Sequence, residues 1–274
     1  MAEQREGSYW ANPDSCYLPK FVATVWHLQL LAELGMDGSE RRIRNSCERF
    51  LKQHAMSDGG YACGMRSGRY SEECLTGRMP AVLLQFGYSP QDPRIRNALN
   101  WLLDHQLEDG GWNCHHGPMV RHSSIYSTFM ALWAFSKIPA NRRSPKLKRA
   151  IKGGVEFMLA HRLYKSHRTG KIIGRDWTKF HFPLNVRYDV LHSLKLLTDL
   201  GVASDKRLND ALDLVESKMQ PDGRWLLDVV PERKLDKTGR SAIRLEEEGK
   251  PSKWITLNAL TVLSRTNRIR IPRT

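Results

Sequence analysis

One pattern recurs along this chain, and it constrains the fold more than any other feature. Phe50-Leu51-Lys52-Gln53 runs into Asp58-Gly59-Gly60-Tyr61. Trp101-Leu102-Leu103-Asp104-His105-Gln106 runs into Asp109-Gly110-Gly111-Trp112, and Val215-Glu216-Ser217-Lys218-Met219-Gln220 into Asp222-Gly223-Arg224-Trp225. Tyr61 and Trp112 lie 51 residues apart, and Trp112 and Trp225 lie 113 apart, close to twice that. The period is therefore ~50–57 residues, the range of repeat architectures. A degenerate copy is expected near 157–177, where Gly174-Arg175-Asp176-Trp177 stands.

Each period holds two helical patterns. The one before the glutamine is amphipathic: Ile43, Cys47, Phe50 and Leu51, then Ile95, Leu99, Leu102 and Leu103, then Leu208, Ala211, Leu212 and Val215. Spacings of three and four on one face describe a helix with one wet side. Asp92-Pro93 is a start signal, an aspartate cap followed by proline at the first helical position. Asp-Gly-Gly stops the helix, because glycine reaches left-handed backbone at little cost. The second pattern, apolar nearly all round, covers 18–34, 74–86, 123–138, 184–200 and 254–263. Helices apolar on every side are buried. Five inner helices alternating with outer ones predict an all-α chain, an (α/α) toroid of about five to six helical hairpins. It is read as a single domain over 1–274, with repeats at about 15–61, 62–112, 113–177, 178–225 and 226–265.

Composition sets the outer limits. The 274 residues are 41% hydrophobic, enough for a sizeable core, and no run approaches the ~18 consecutive apolar residues of a spanning helix. With no apolar leader behind Met1, the chain reads as cytoplasmic. The 43 Lys and Arg against 29 Asp and Glu leave a net charge of +14, which suits an anionic partner. Five cysteines, an odd number, read as reduced thiols.

Gln106 and Asp109-Gly110-Gly111-Trp112, preceded by Ala98-Leu99-Asn100-Trp101-Leu102, resemble the QW repeat of squalene and oxidosqualene cyclases, in the prenyltransferase/squalene-oxidase repeat superfamily. The resemblance spans about 15–265 and implies an α/α toroid whose inner helices open on one funnel. It makes Gln106, Trp112, Gln220 and Trp225 staples between helix ends. The Asp-x-Asp-Asp run of the protonating cyclases is absent, as is the Asp-Asp-x-x-Asp motif of ionising synthases.

The chain also resembles protein prenyltransferase β subunits at Gly59-Gly60-Tyr61, the basic Arg66 and Arg69, and Glu72-Glu73-Cys74, and again at Gly110-Gly111-Trp112 before His122-Ser123-Ser124. That resemblance implies metal ligation by Glu72, Cys74 and His122. Zinc favours thiolate and imidazole, and Cys63, Cys74, Cys114 and His122 all follow repeat turns or open inner helices, so these four form the expected zinc set. The three cysteines also read as small buried side chains or as a thiol nucleophile, and Cys16 and Cys47 as core.

Val186-Arg187-Tyr188-Asp189-Val190 places charges and a phenol on an apolar run. Asp189, its pKa raised by burial, with Tyr188 is the candidate acid/base pair. The other reading is a packing role, Asp189 bonded to backbone or to Arg187. Arg66, Arg69, Arg187, Tyr126, Trp177 and Trp254 are the candidate ligand contacts, the aromatics offering faces to a cation. The function these features imply is a prenyltransferase- or terpene-cyclase-like enzyme whose funnel holds an apolar, isoprenoid-like molecule with an anionic group. The alternatives are a nucleic-acid-binding protein using the basic runs at 41–44, 142–149, 162–175 and 265–273, or a non-catalytic scaffold. No zinc-finger, helix-turn-helix or RNA-recognition signature accompanies the charge.

Overall fold

The computed structural model describes residues 4–63, 70–115, 120–230 and 243–270. They form two compact units, one containing the residues up to Gly154 and the other Val155–Glu232 with Arg244–Thr274. Regular structure in both is helical, apart from one two-residue ladder in the second unit.

In the first unit α1 (Thr24–Glu33), α3 (Glu73–Gln85) and α5 (Ile125–Ser136) are buried along most of their length, and α2 (Arg41–His54) and α4 (Pro93–Asp104) bury one face each. α6 (Pro145–Ala160) follows, its residues divided between the two units. This is the alternation expected from the two hydrophobic patterns. Asp92 caps α4 as expected, accepting from the Arg94 N–H at 2.9 Å, and Pro93 takes the first helical position. α3 and α5 pack closely because Gly77 faces the neighbouring backbone: a Cβ there would lie 2.5 Å from the carbonyl carbon and oxygen of Met130.

The second unit contains α7 (Val190–Asp199), α8 (Asn209–Ser217), β1 (Trp225–Leu226), β2 (Pro251–Ser252) and α9 (Lys253–Arg265), with Trp225 opposite Ser252 in the antiparallel ladder. The apolar runs at 18–34 and 184–200 start helix later than expected, at Thr24 and Val190. Pro19 interrupts the first run and Pro183 immediately precedes the second, and Phe21 and Asn185 hold positive φ of 72° and 48°, incompatible with a continuing right-handed helix.

The repeated turn has the same construction three times. The N–H groups of Met56, Leu107 and Gln220 donate to the carbonyls of Gly60, Gly111 and Arg224, while Gly59, Gly110 and Gly223 donate back to Met56, Leu107 and Gln220. Those three glycines have φ of +98°, +91° and +78°, where a side chain is strained. The aromatic that ends each turn is tied to the next buried helix: Tyr61, Trp112 and Trp225 donate their backbone N–H to the hydroxyls of Thr76, Thr128 and Thr256, at 2.9, 3.0 and 3.0 Å. Trp10 does the same to Thr24 at 3.1 Å. The indoles of Trp112 and Trp225 reach back to the preceding helix, donating to Leu102 and Val215 carbonyls at 2.7 Å each. Gln106 Nε2 donates to Gly110 at 2.6 Å and Ala150 at 2.9 Å. The two indole bonds add a second donor to carbonyls in the last turn of each helix, which also accept the backbone N–H of His105 and Lys218 at 3.3 Å.

The degenerate copy differs from expectation. Trp177 lies in a short 3-10 turn, half-buried, with its ring edge-on to Tyr188 at 4.8 Å. Tyr188 takes the stapling role, its hydroxyl donating to the Leu163 carbonyl at 2.6 Å just past the end of α6. The outer helices repeat a clamp as well. Arg94, beside Asp92, pairs with Glu48 at 2.5 Å, and Arg207, beside Asp205, pairs with Glu156 at 2.9 Å.

Candidate functional site

The first unit gathers polar side chains where α3 and α5 begin. Tyr61 and Glu72 are bridged through backbone, Glu72 N–H to Tyr61 carbonyl at 2.9 Å, and Ser124 N–H donates to the Trp112 carbonyl at 2.7 Å. Each repeat turn is thereby pinned to the start of the helix that follows it. Asp58 and Asp109 reinforce the pin, accepting from the hydroxyls of Ser71 (2.7 Å) and Ser123 and, for Asp109, from the Ser123 N–H at 2.8 Å. Residues just after a turn are held against residues opening the next helix, which brings Cys63 and Cys114 to Cys74.

Cys74 stands at the second position of α3, next to the N-cap Glu72. Its backbone N–H donates to Cys114 Sγ at 2.9 Å, and Ser127 Oγ donates to the same sulfur at 3.2 Å. The thiols of Cys114 and Cys63 hydrogen-bond to the Cys74 sulfur and hold it well below the ordinary thiol range, while they are themselves pushed up. A helix N-terminus favours the same charge. Burial raises Glu72, whose carboxylate lies 3.9 Å from Cys74 Sγ and is hydrogen-bonded by Cys63. The three cysteines are half-buried, whereas Cys16 and Cys47 are fully buried, with pKa values pushed up by burial to about 11 and about 12. Those two are core, as expected.

Of the expected zinc set, Cys63, Cys74 and Cys114 are brought together. His122 lies before the Ser124 cap of α5, exposed, with its carbonyl accepting from Asn113 Nδ2 at 2.7 Å. Among the described residues no group of three or more Cys, His, Asp and Glu is arranged to hold a metal ion. Arg66 and Arg69 lie outside the described residues.

One turn further along α3, Arg78 is 2% exposed. Its guanidinium sits 4.8 Å over the Trp26 ring, donates to Gln29 Oε1 on α1, and donates to the Tyr126 hydroxyl on α5. Gln29 in turn donates to Glu33 Oε1 at 2.6 Å. Glu73, 3% exposed, has its carboxyl pushed up by burial to about 8. A carboxyl in that range retains its proton at neutral pH and can act as an acid. Sequence reasoning missed both Arg78 and Glu73. The available signal was a charge on an otherwise apolar helix, the criterion that singled out Arg187 and Asp189.

Asp189 belongs to the second unit, fully buried, where it caps α7. Its carboxylate accepts the backbone N–H of His192 at 2.8 Å and of His181 at 3.0 Å, and faces the ring Nδ1 of both, at 3.0 and 3.4 Å. The expected rise in its pKa is reversed. Burial acts to raise it, but the charge and hydrogen bonds of His192 and His181 outweigh burial and hold the carboxyl well below its usual range. A carboxylate so placed caps and positions, and it does not release a proton near neutrality. Burial pushes the Tyr188 phenol up, and its proton is committed to Leu163. Phe182 stacks on Trp254 at 5.1 Å, and Arg187 is half-buried.

Comparison with known proteins singles out the same stretch. Residues 69–157 match the family model of the squalene-hopene cyclase C-terminal domain. The resemblance to the terpenoid cyclase and prenyltransferase superfamily is thereby borne out. An isopimaradiene synthase from Isodon rubescens is 30% identical over 142 residues, 50% of this chain and 17% of that protein. The chain thus spans about a sixth of that relative's length. Among solved structures, a protein from Actinoplanes shares 16% identity at TM-score 0.48, covering 97% of this chain and 80% of the other. The type II terpene cyclase MstE from Scytonema shares 11% at TM-score 0.41, covering 97% and 94%. Nucleic-acid binding finds no support in these comparisons. Among the described residues no helix is long and apolar enough to cross a membrane.

Proposed function

We propose that the chain is a terpene-cyclase-like protein that binds an isoprenoid-type molecule through the first unit, at the polar side chains opening α3 and α5. The observation that supports this most is the match of residues 69–157 to a squalene-hopene cyclase domain. That stretch contains α3, the turn ending at Trp112 and α5, and with them Glu73, Cys74, Arg78, Cys114 and Tyr126.

The chemistry of those residues suits an apolar ligand with one anionic end. α1, α3 and α5 supply apolar side chains, and the Arg78–Tyr126–Gln29 set puts a buried cation and a phenol among them. Guanidinium forks recognise planar or tetrahedral oxyanions bidentately. The Trp26 face, already stacked on Arg78, marks how a cationic carbon is accommodated by aromatic rings. Glu73 is the group in this set able to deliver a proton at neutral pH, taking the place of the missing Asp-x-Asp-Asp acid.

Titration of the purified chain with farnesyl diphosphate, geranylgeranyl diphosphate and squalene tests the reading, followed by tryptophan fluorescence and by analysis of extracted products. The expected result is saturable quenching by at least one isoprenoid, weakened at least tenfold in Arg78→Gln and reduced in Tyr126→Phe. Cyclised product, where formed, is lost in Glu73→Gln. Absence of saturable binding by a folded wild-type protein would overturn the proposal.

A further inference from the structure

We propose that the hairpin at 164–173, in the second unit, is a contact element that seats the protein on an anionic lipid surface. The basic run at 162–175 takes no part in the function proposed above, yet the fold gives it a definite shape. Ser166 N–H donates to the Lys171 carbonyl at 2.8 Å and Ile173 N–H to the Tyr164 carbonyl at 2.9 Å, with Lys165 opposite Ile172 in an antiparallel bridge. Gly170, at φ +68°, turns the chain and donates to the Ser166 carbonyl at 2.8 Å. At the base, Asp210 holds Arg162 at 3.0 Å and Lys165 at 2.5 Å. His167 is bonded to His161, just past the end of α6, at 2.9 Å.

The tip held in this way carries side chains that folding leaves in water. Residues 167–173 are exposed without a break. Among them Ile172 and Ile173 are 52% and 47% exposed, beside Arg168 and Lys171, and the exposed Arg175 follows two residues later. Among the described residues no carboxylate pairs with Arg168, Lys171 or Arg175, whereas Arg162 and Lys165 are neutralised by Asp210. A single exposed isoleucine is ordinary. Two adjacent ones on an ordered turn, with three uncompensated cations, make a basic tip with an apolar point. Trp177, half-buried, packs its ring against Gly174 directly after them, and an indole suits a place that is apolar at one end and wet at the other.

The occupant follows from that pairing of charge and apolar surface. Lys and Arg gain from anionic headgroups, and branched aliphatic side chains gain from leaving water for the acyl boundary. A lipid surface satisfies both at once and needs no shaped groove. A nucleic-acid backbone would engage the cations and leave both isoleucines in water. The chain's net charge of +14 acts in the same direction at longer range. The proposal stands whether or not the first unit binds an isoprenoid.

Wild-type protein is sedimented with sucrose-loaded vesicles of phosphatidylcholine, alone or with about 30% phosphatidylserine, at about 0.1 M salt. It should bind the phosphatidylserine vesicles at least tenfold more tightly than phosphatidylcholine alone. Ile172→Ser combined with Ile173→Ser, and separately Arg168→Gln combined with Lys171→Gln, should each weaken that binding by about tenfold or more. All four positions are exposed, and unchanged urea midpoints check that the variants fold. The isoleucine variant should keep its retention on heparin, which separates insertion from charge alone. Wild-type protein left in the supernatant, equal binding to the two vesicles, or full binding by the isoleucine variant would each overturn the proposal. Capture by poly-uridine RNA without vesicle binding would assign the tip to nucleic acid instead.

Discussion

Replacing Glu73 by Gln should change how stability responds to pH more than how stable the protein is. Glu73 opens α3 at 3% exposure, and burial raises its carboxyl from 4.5 to about 8, with the Cys74 and Glu72 charges adding to the rise. The folded state therefore holds the proton more tightly than the unfolded chain. Below pH 4.5 both states carry it and no penalty exists. As pH climbs toward 8 the unfolded chain has released its proton while the folded state must either keep it or bury a charge, so stability falls. The slope is at most about 1.4 kcal/mol per pH unit. That gives a loss of about 3 kcal/mol by pH 7 and a ceiling of about 5 kcal/mol above pH 8. Glutamine is neutral, similar in shape and still hydrogen-bonds, so Glu73→Gln mimics the protonated acid at every pH. Urea unfolding followed by far-ultraviolet circular dichroism at about pH 5, 7 and 9 reads the effect. The two proteins should unfold at similar urea concentrations at the lowest pH, and the variant should be the more stable by several kcal/mol at the highest. Parallel pH profiles for wild type and variant would refute the argument, because they would mean Glu73 titrates as a solvated carboxylate.

The other consequences concern the staples and the second unit. Trp112→Phe keeps an aromatic ring but removes the 2.7 Å bond to the Leu102 carbonyl and part of a fully buried indole, at about 1–3 kcal/mol. Trp225→Phe, which loses the equivalent bond to Val215, should cost the same within about 1 kcal/mol if the repeats are equivalent, as measured by urea midpoints. Asp189→Asn puts an amide where a carboxylate accepts from His181 and His192; the amide oxygen can still cap α7, so the cost, about 1–3 kcal/mol, is that of the lost charge-assisted bonds. Because the folded pKa of Asp189 lies below its ordinary 3.8, that stabilisation is full above the ordinary value and fades as pH falls through the acid range. Wild type should lose this increment on acidification and Asp189→Asn should lack it, whereas identical acid profiles would show that the charge contributes nothing.

Much of the fold was legible from local rules, and the limits of legibility fall at particular residues. Periods of three and four identified α2, α4 and α8 as one-sided helices, all-round apolarity identified α3 and α5, and Asp92-Pro93 located the start of α4 correctly; α9, expected to be buried all round, buries one face, with Leu257 exposed. The glycines of the repeated turn were legible because a left-handed backbone leaves few alternatives to glycine. Where the expectation slipped, a longer-range contact had replaced the local signal. The runs at 18–34 and 184–200 looked uniformly helical, yet Phe21 and Asn185 turn to positive φ and Asp189 becomes a cap. Gly174-Arg175-Asp176-Trp177 looked like a fourth turn, but Tyr188 staples that repeat from the other side of the loop.

The sequence by itself determined the helical class, the alternation of buried and amphipathic helices and the repeated aromatic turn. Each of these follows from the spacing of residue types within some fifteen positions, the range over which a single helix and its caps report their own energetics. Tertiary structure decided the meaning of every charged or nucleophilic side chain. Cys63, Cys74 and Cys114 are 11 and 40 residues apart in sequence, and become neighbours because each repeat turn is bonded to the helix that follows it. His122 fell outside that group, and Glu73 and Asp189 moved to opposite sides of their ordinary pKa range. Burial acts on both carboxyls alike, but only Asp189 gains histidines to hold its charge. Solvation and partner geometry are properties of the packed chain, and no local pattern contains them.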